Sequence, residues 1–172
     1  GGYVYMYRGM LNYFNSEAEF AGVIGHEIGH ITARHGVRGM STAQVTGLLL
    51  SIIQANVPGG QLTGNAFNLL NMAINRGYGR KYELEADQLG EDYLEKSDYD
   101  PVAMTAFLKT LKNSDELEKK IAKEEGREPN IGYHGVFSTH PDHDKRINAL
   151  GKLKTQDSKN KNNKEKFLKL LD

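Results

Sequence analysis

His26-Glu27-Ile28-Gly29-His30 is the stretch whose residue types and spacing most directly specify chemistry. On an α-helix, residues four apart share a face with Cβ atoms about 5–6 Å apart, so two imidazoles can converge on one ion. Glu27 is rotated away from that face, far enough to approach a water on the ion rather than the ion itself. This is the His-Glu-x-x-His arrangement of zinc hydrolases, with the glutamate as general base. The pattern is short and also arises by chance on half-exposed helix faces. Its placement on a capped amphipathic helix favours the metal.

A catalytic zinc needs a third protein ligand and an open position. An extended pattern with a third histidine six residues after the second, and glycine at the third, is not met, because position 36 is glycine and position 33 alanine. His35 follows His30 by five residues, on another side of a continuous helix, and is expected at the surface or in a capping role. A cysteine ligand is excluded by composition. The remaining source is a carboxylate from elsewhere, and Glu83-Leu84-Glu85-Ala86-Asp87 supplies candidates. Glu83 and Asp87 share a helix face, while Glu85 points away. Glu83 is assigned to the metal. Asp87 is assigned one shell further out, accepting the free ring N–H of a ligand histidine, His26 first, and so fixing its tautomer. Taken alone, this segment is equally an acidic, solvated helix face.

Ser138-Thr139-His140-Pro141, with Arg146 six residues after the histidine, forms a third group. Hydrolysis of a peptide needs positive or donor groups where the oxyanion forms, and His140 with Arg146 can supply them. On sequence chemistry alone the segment also reads as a proline-led helix start with an incidental histidine. His134 and His143 flank it without an assigned role.

The elements that must position these residues are mostly helical. Ser16-Glu17-Ala18-Glu19 fits a capping box, with Ser16 as N-cap. Phe20, Val23, Ile24, Ile28 and Ile31 then recur at helical spacing. Gly22, Gly25 and Gly29 interrupt this helix at roughly 1 kcal/mol each, which close approach of another backbone beside the metal face would explain. Further helices are predicted at 41–56, 62–75, 80–96, 101–112 and 116–125, with a short one from Pro141. Alternation in Tyr3-Val4-Tyr5-Met6-Tyr7 predicts a strand, with an edge position open to it. The fold class is therefore mainly α (α+β), with a small N-terminal β-sheet or hairpin. Residues 155–164 read as a polar linker, and 165–171 as a final amphipathic turn or two. The apolar stretch 48–57 suits either a lid or core.

Composition narrows the function classes. The chain of 172 residues has 22 basic and 22 acidic side chains and no cysteine. Zero formal charge argues against nucleic-acid binding through a basic face. Absence of cysteine rules out a disulfide scaffold and a thiol nucleophile. The longest apolar stretch is well short of the roughly 20 residues of a bilayer span. The opening Gly1-Gly2-Tyr3, without a signal pattern, suggests a piece of a longer protein, so membrane association is expected only through segments not present.

The motifs in combination resemble the zinc metallopeptidase family that includes type I CaaX prenyl proteases, HtpX and the BepA-like periplasmic proteases. The resemblance runs from Gly1-Gly2-Tyr3-Val4-Tyr5 and Gly9, through His26–His30 with Arg34-His35-Gly36, to Arg80–Asp87. It continues through Tyr99-Asp100-Pro101, Thr139-His140-Pro141 and Arg146-Ile147. It implies a zincin-like domain over residues 1–154, N-terminally incomplete, followed by a lysine-rich tail over 155–172. It further implies one zinc ion on His26, His30 and Glu83, with Glu27 as base, Asp87 in support, and His140 and Arg146 near the oxyanion. The activity it implies is zinc-dependent endopeptidase action (His-Glu-x-x-His plus Glu, gluzincin-type) on misfolded or damaged envelope proteins, in an extracytoplasmic setting. The polypeptide substrate would add as a strand to the tyrosine segment. The competing expectation is a self-inhibited or inactive zinc module with a chaperone or scaffold role, in which His140 caps the open metal position. A closed structural site fits less well, because such sites have four protein ligands and the sequence offers a firm three.

Overall fold

Ser16 adopts extended backbone and its hydroxyl accepts the Glu19 N–H, opening α1 (Glu17–Thr32). The Glu19 carboxylate reaches back to the Asn15 N–H at 2.7 Å, one residue further than expected. A computed structural model describes residues 3–56, 64–130, 140, 143–150 and 163–171. After α1 come α2 (His35–Asn56), α3 (Gly64–Lys96), α4 (Val102–Glu125), α5 (His143–Leu150) and α6 (Lys164–Leu168).

The expected N-terminal sheet is not there. Among the described residues there is no strand; Tyr3–Tyr7 has no regular structure, and the chain then enters a 3-10 helix, Arg8–Tyr13. A strand persists only where a neighbour satisfies its backbone, and β-rich alternation supplies no such neighbour. Tyr3, Tyr5 and Tyr7 stay largely exposed, while Met10 and Phe14 anchor the segment. Phe14 stacks on Phe107 of α4, with ring centroids 4.8 Å apart.

Two expected helix breaks are also absent. The helices predicted at 62–75 and 80–96 are the single α3, and those at 101–112 and 116–125 are the single α4. Gly77 and Gly79 cost about 1 kcal/mol each relative to alanine, too little to interrupt a helix whose later turns pack along α1. Residues 113–115 are weak helix formers rather than breakers, and α4 buries Leu111 before them and Ala122 after them. Helix α4 begins at Val102, whose N–H donates to the Asp100 carboxylate. It ends at Gly126, in the left-handed region at φ 66°. The second helix also starts earlier than expected, at His35.

The core lies between α4, the inner face of α1 and the 3-10 helix, with Met104, Phe107, Leu108 and Leu111 facing Ala18, Val23 and Leu94. On α1 the apolar stripe is buried only in part: Val23 joins the core, Ile28 and Ile31 are exposed, and Gly22, Gly25, His26 and Gly29 face inward. Among the described side chains of the apolar run in α2, Leu50 is buried, while Leu48, Leu49, Ile52 and Ile53 are exposed. Helix α6 docks on α1, where Phe167 lies near Phe20 and Asn163 donates to Glu17. Of the linker expected over 155–164, residues 155–162 lie outside the described residues, as does Pro141, and Lys164 opens α6 rather than ending the linker. Among the described residues no helix is long and apolar enough to cross a membrane.

Candidate metal centre

The glycines of α1 exist for the approach of α3. A Cβ on Gly25 would stand 3.3 Å from the Gly90 Cα, one on Gly29 would stand 3.1 Å from the Ala86 carbonyl, and one on Gly90 would stand 3.1 Å from the His26 backbone nitrogen. As residue numbers rise along α1 they fall along α3, so the two helices run antiparallel with backbones in near contact. That register sets His26 opposite Asp87 and His30 opposite Glu83.

Four donor atoms converge there, one each from His26, His30, Glu83 and His140, all within 4.8 Å of one another. His26 Nε2 is 3.0 Å from His30 Nε2 and 3.3 Å from His140 Nδ1. Glu83 Oε2 is 3.5 Å from His26 Nε2 and 2.8 Å from His140 Nδ1, and its Oε1 is 3.3 Å from His30 Nε2. Ligands at 2.0–2.1 Å around a tetrahedral zinc lie about 3.3 Å from each other. The separations match the edges of such a tetrahedron, and the mix of imidazole and carboxylate suits zinc. The donor set fits the ion.

Electrostatics favour a cation at the same point. Glu27, Glu83 and Asp87 gather three carboxylates around one guanidinium, that of Arg146. Burial pushes the Glu83 carboxyl up, but the surrounding imidazoles of His140, His26 and His30 outweigh it and hold the group well below the usual carboxylate range. Burial pushes the His26 imidazole down, and Asp87 and Glu83 more than offset it. A field that retains a proton on this ring stabilises any cation placed there. Val23, Met104, Phe107, Leu108 and Leu111 form an apolar wall beside His26, Glu27 and His140, which strengthens these interactions by excluding water.

Asp87 is fully buried and its Oδ1 lies 2.8 Å from His26 Nδ1. Arg146, on α5, donates to both oxygens of Asp87, at 2.6 and 2.7 Å. Burial pushes the Asp87 carboxyl up, and the Arg146 and His26 bonds more than reverse it, leaving it ionised. The same guanidinium lies 3.3 Å from Glu83 Oε2 and donates to the His140 carbonyl. Arg146 thus sits between Asp87, Glu83 and the His140 backbone. His140 places its ring nitrogen inside the donor group, with its other nitrogen 3.7 Å from Glu27 Oε1. Glu27 contributes no atom to the group and is partly exposed at its rim.

One member of the constellation was not expected. His35 is 5 % exposed, not a surface residue, and its Nδ1 lies 2.9 Å from His30 Nδ1. Helix α1 ends at Thr32, and Arg34 takes a left-handed conformation at φ 55°. A non-glycine residue there costs about 1–3 kcal/mol. The corner it makes folds His35 back beneath His30. Reading the spacing as one continuous helix put His35 on the wrong side. The signal available was the unassigned partner of His30: if a ligand histidine must donate its second ring N–H, His30 needed an acceptor just as His26 did. Glu85 points away from the donor group as expected, and pairs with Arg38 and His35. His143, also unassigned, faces Asp115 at 3.8 Å.

The chain matches the family described as Peptidase family M48 over residues 1–154. It belongs to that family. Among M48 relatives, it is 35 % identical over 109 residues to the mitochondrial metalloendopeptidase OMA1 of Arabidopsis thaliana, covering 63 % of this chain and 22 % of that protein. It is 31 % identical over 121 residues to the beta-barrel assembly-enhancing protease of Escherichia coli, covering 64 % and 24 %. Against the metalloprotease LoiP of Escherichia coli it is 29 % identical over 145 residues, covering 81 % and 50 %. The matched part is thus about a quarter of the length of the first two relatives. No solved structure gives a significant match.

Proposed function

We propose that this M48 chain is a zinc-dependent endopeptidase domain, spanning residues 1–154, that holds one ion on His26, His30 and Glu83. The observation that carries the reading is the set of donor separations close to a tetrahedral edge, with Glu27 at the rim and outside the set. When bound, zinc supplies Lewis-acid polarisation of the scissile carbonyl and acidifies a water. Glu27 takes a proton from the attacking water and delivers it to the leaving amine. Asp87 accepts the Nδ1–H of His26 and keeps Nε2 free for the ion, and Arg146 holds Asp87 in place. His140, mounted beside Glu27, is the side chain positioned to meet the oxyanion, with Arg146 behind it fixing its carbonyl. Substrates are polypeptides. Damaged or misfolded envelope proteins on the extracytoplasmic side are the proposed class, supported by the likeness to the bacterial beta-barrel assembly-enhancing protease. Strand addition is not part of this reading, because Tyr3–Tyr7 is not a strand.

A second reading has its own observation. His140 Nδ1 lies 2.8 Å from Glu83 Oε2 and 3.3 Å from His26 Nε2, where it would complete a four-ligand shell and hold the enzyme closed. Casein degradation by three proteins separates the readings. Glu27→Gln should bind zinc as the wild type does and lose hydrolysis; full activity in that variant rejects Glu27 as the base. His140→Ala should lower the rate if His140 serves the oxyanion, and raise it if His140 closes the shell.

A further inference from the structure

The second imidazole of the metal pair has a partner to which the proposed function gives no task. His35 stacks on Tyr82, with ring centroids 4.6 Å apart and planes 17° from parallel. Its Nδ1 meets His30 Nδ1 at 2.9 Å and its Nε2 faces Glu85 Oε2 at 3.3 Å. Glu85 in turn takes the Arg38 guanidinium at 3.1 and 3.0 Å, and that guanidinium lies over the other ring of the stack, 4.8 Å from the Tyr82 centroid. The Nε2 contact falls short of an aligned hydrogen bond, so Glu85 acts on the neutral ring as a nearby negative charge that favours an N–H dipole pointing toward it. Stacking therefore fixes the ring plane, and Glu85 decides which nitrogen carries the proton.

Counting donors gives the rest. A carboxylate only accepts, so it selects the His35 tautomer with N–H at Nε2, which leaves a lone pair at Nδ1. That lone pair accepts the Nδ1–H of His30. His30 then presents a bare Nε2 toward His26 and Glu83, as a metal ligand must. Asp87 does the same for His26 directly; here one imidazole is interposed between carboxylate and ligand.

We propose that His35 is the positioning residue for His30, a neutral relay whose tautomer is set by Glu85 and whose plane is set by Tyr82. The inference rests on the zinc reading above. It predicts the effect of substitutions that touch neither the ion nor the substrate.

The test uses the whole chain and Zn(II) in competition with a chelating dye. His35→Phe keeps a ring to stack on Tyr82 and removes the acceptor. It should weaken zinc binding by roughly 10–100-fold, the usual cost of losing such a partner, with an unchanged circular-dichroism spectrum. His35→Gln, whose amide oxygen can accept, should recover affinity to within a few-fold. Wild-type affinity in His35→Phe, or equal losses in the two variants, overturns the proposal. A measurement on unsubstituted protein guards against a folding defect: nitrogen-15 shifts of the zinc-loaded chain should show His35 protonated at Nε2 and bare at Nδ1, and the opposite tautomer overturns it. Failure of the zinc reading looks different, because wild-type protein would then bind no zinc.

Discussion

The two imidazoles of the site are held in contrasting ways. His26 leans on Asp87, a fully buried carboxylate clamped at both oxygens by the buried guanidinium of Arg146. His30 leans on His35, and behind it on Glu85 and Arg38, whose side chains are 38 % and 40 % exposed. The first support is charged, dry and assembled from α3 and α5, far apart in sequence. The second has a neutral middle, ends at the surface, and is made by a corner only a few residues after the ligand. In the proposed site both present a donor-free Nε2 to the same point. The geometry of a ligand histidine can therefore be set by strong buried charge or by stacking and local backbone, with different costs when each is broken.

The largest break should come on the buried side. Asp87→Ala strands the Arg146 charge, and removing one partner of a buried pair costs about 3–5 kcal/mol; thermal melting should show a large loss of stability together with loss of zinc. An intermediate effect is expected between the two supports, at the helix contact that both share. Gly90→Ala pushes a methyl against the His26 backbone nitrogen, 3.1 Å away. Overpacking of this kind costs about 1–3 kcal/mol, and zinc affinity should fall because α1 and α3 must separate; an unchanged melting temperature and affinity would mean the helices can part without cost. Glu85→Gln should be milder, below about 1 kcal/mol as for exposed ion pairs, with a few-fold loss in zinc affinity measured by titration. The smallest signal is expected on removing zinc with a chelator. Amide exchange at residues 33–38 should then rise more than at 143–150, since the corner depends on local contacts and α5 is pinned by Arg146. Equal increases would erase the distinction.

The contrast also explains what could be read in advance. Asp87 and His26 follow from helical spacing, because each lies inside an uninterrupted helix where period and face are linked. His35 does not, because Arg34 leaves the helical region without glycine or proline to announce it. Tyr3–Tyr7 misled for a related reason: alternation is a property of the segment, whereas a sheet is a property of its neighbours. The breaks expected near Gly77 and around 113–115 failed because a local cost of about a kilocalorie gives way to the packing of the later turns of α3 and of α4 at Leu111 and Ala122. On α1 the apolar stripe marks the buried face through Val23 but not at Ile28 and Ile31, whereas the glycines mark the close backbone approach expected of them, since a Cβ there would meet α3.

The order of residues by itself determined that the chain belongs among metallopeptidases, that it is mainly helical, and that two imidazoles share one helix face. Those properties are local, set by a period of 3.6 residues and by side-chain type. The spacing already names Glu83 as a ligand candidate; tertiary structure brings it and His140 to that face, and alone decided that Arg146 serves Asp87 and that His35 lies beneath His30. These depend on the antiparallel register of α1 against α3 and on one strained residue between α1 and α2. The glycines at 22, 25 and 29 announce that a backbone approaches, but not which one or in what register, and the strained residue leaves no periodic trace at all.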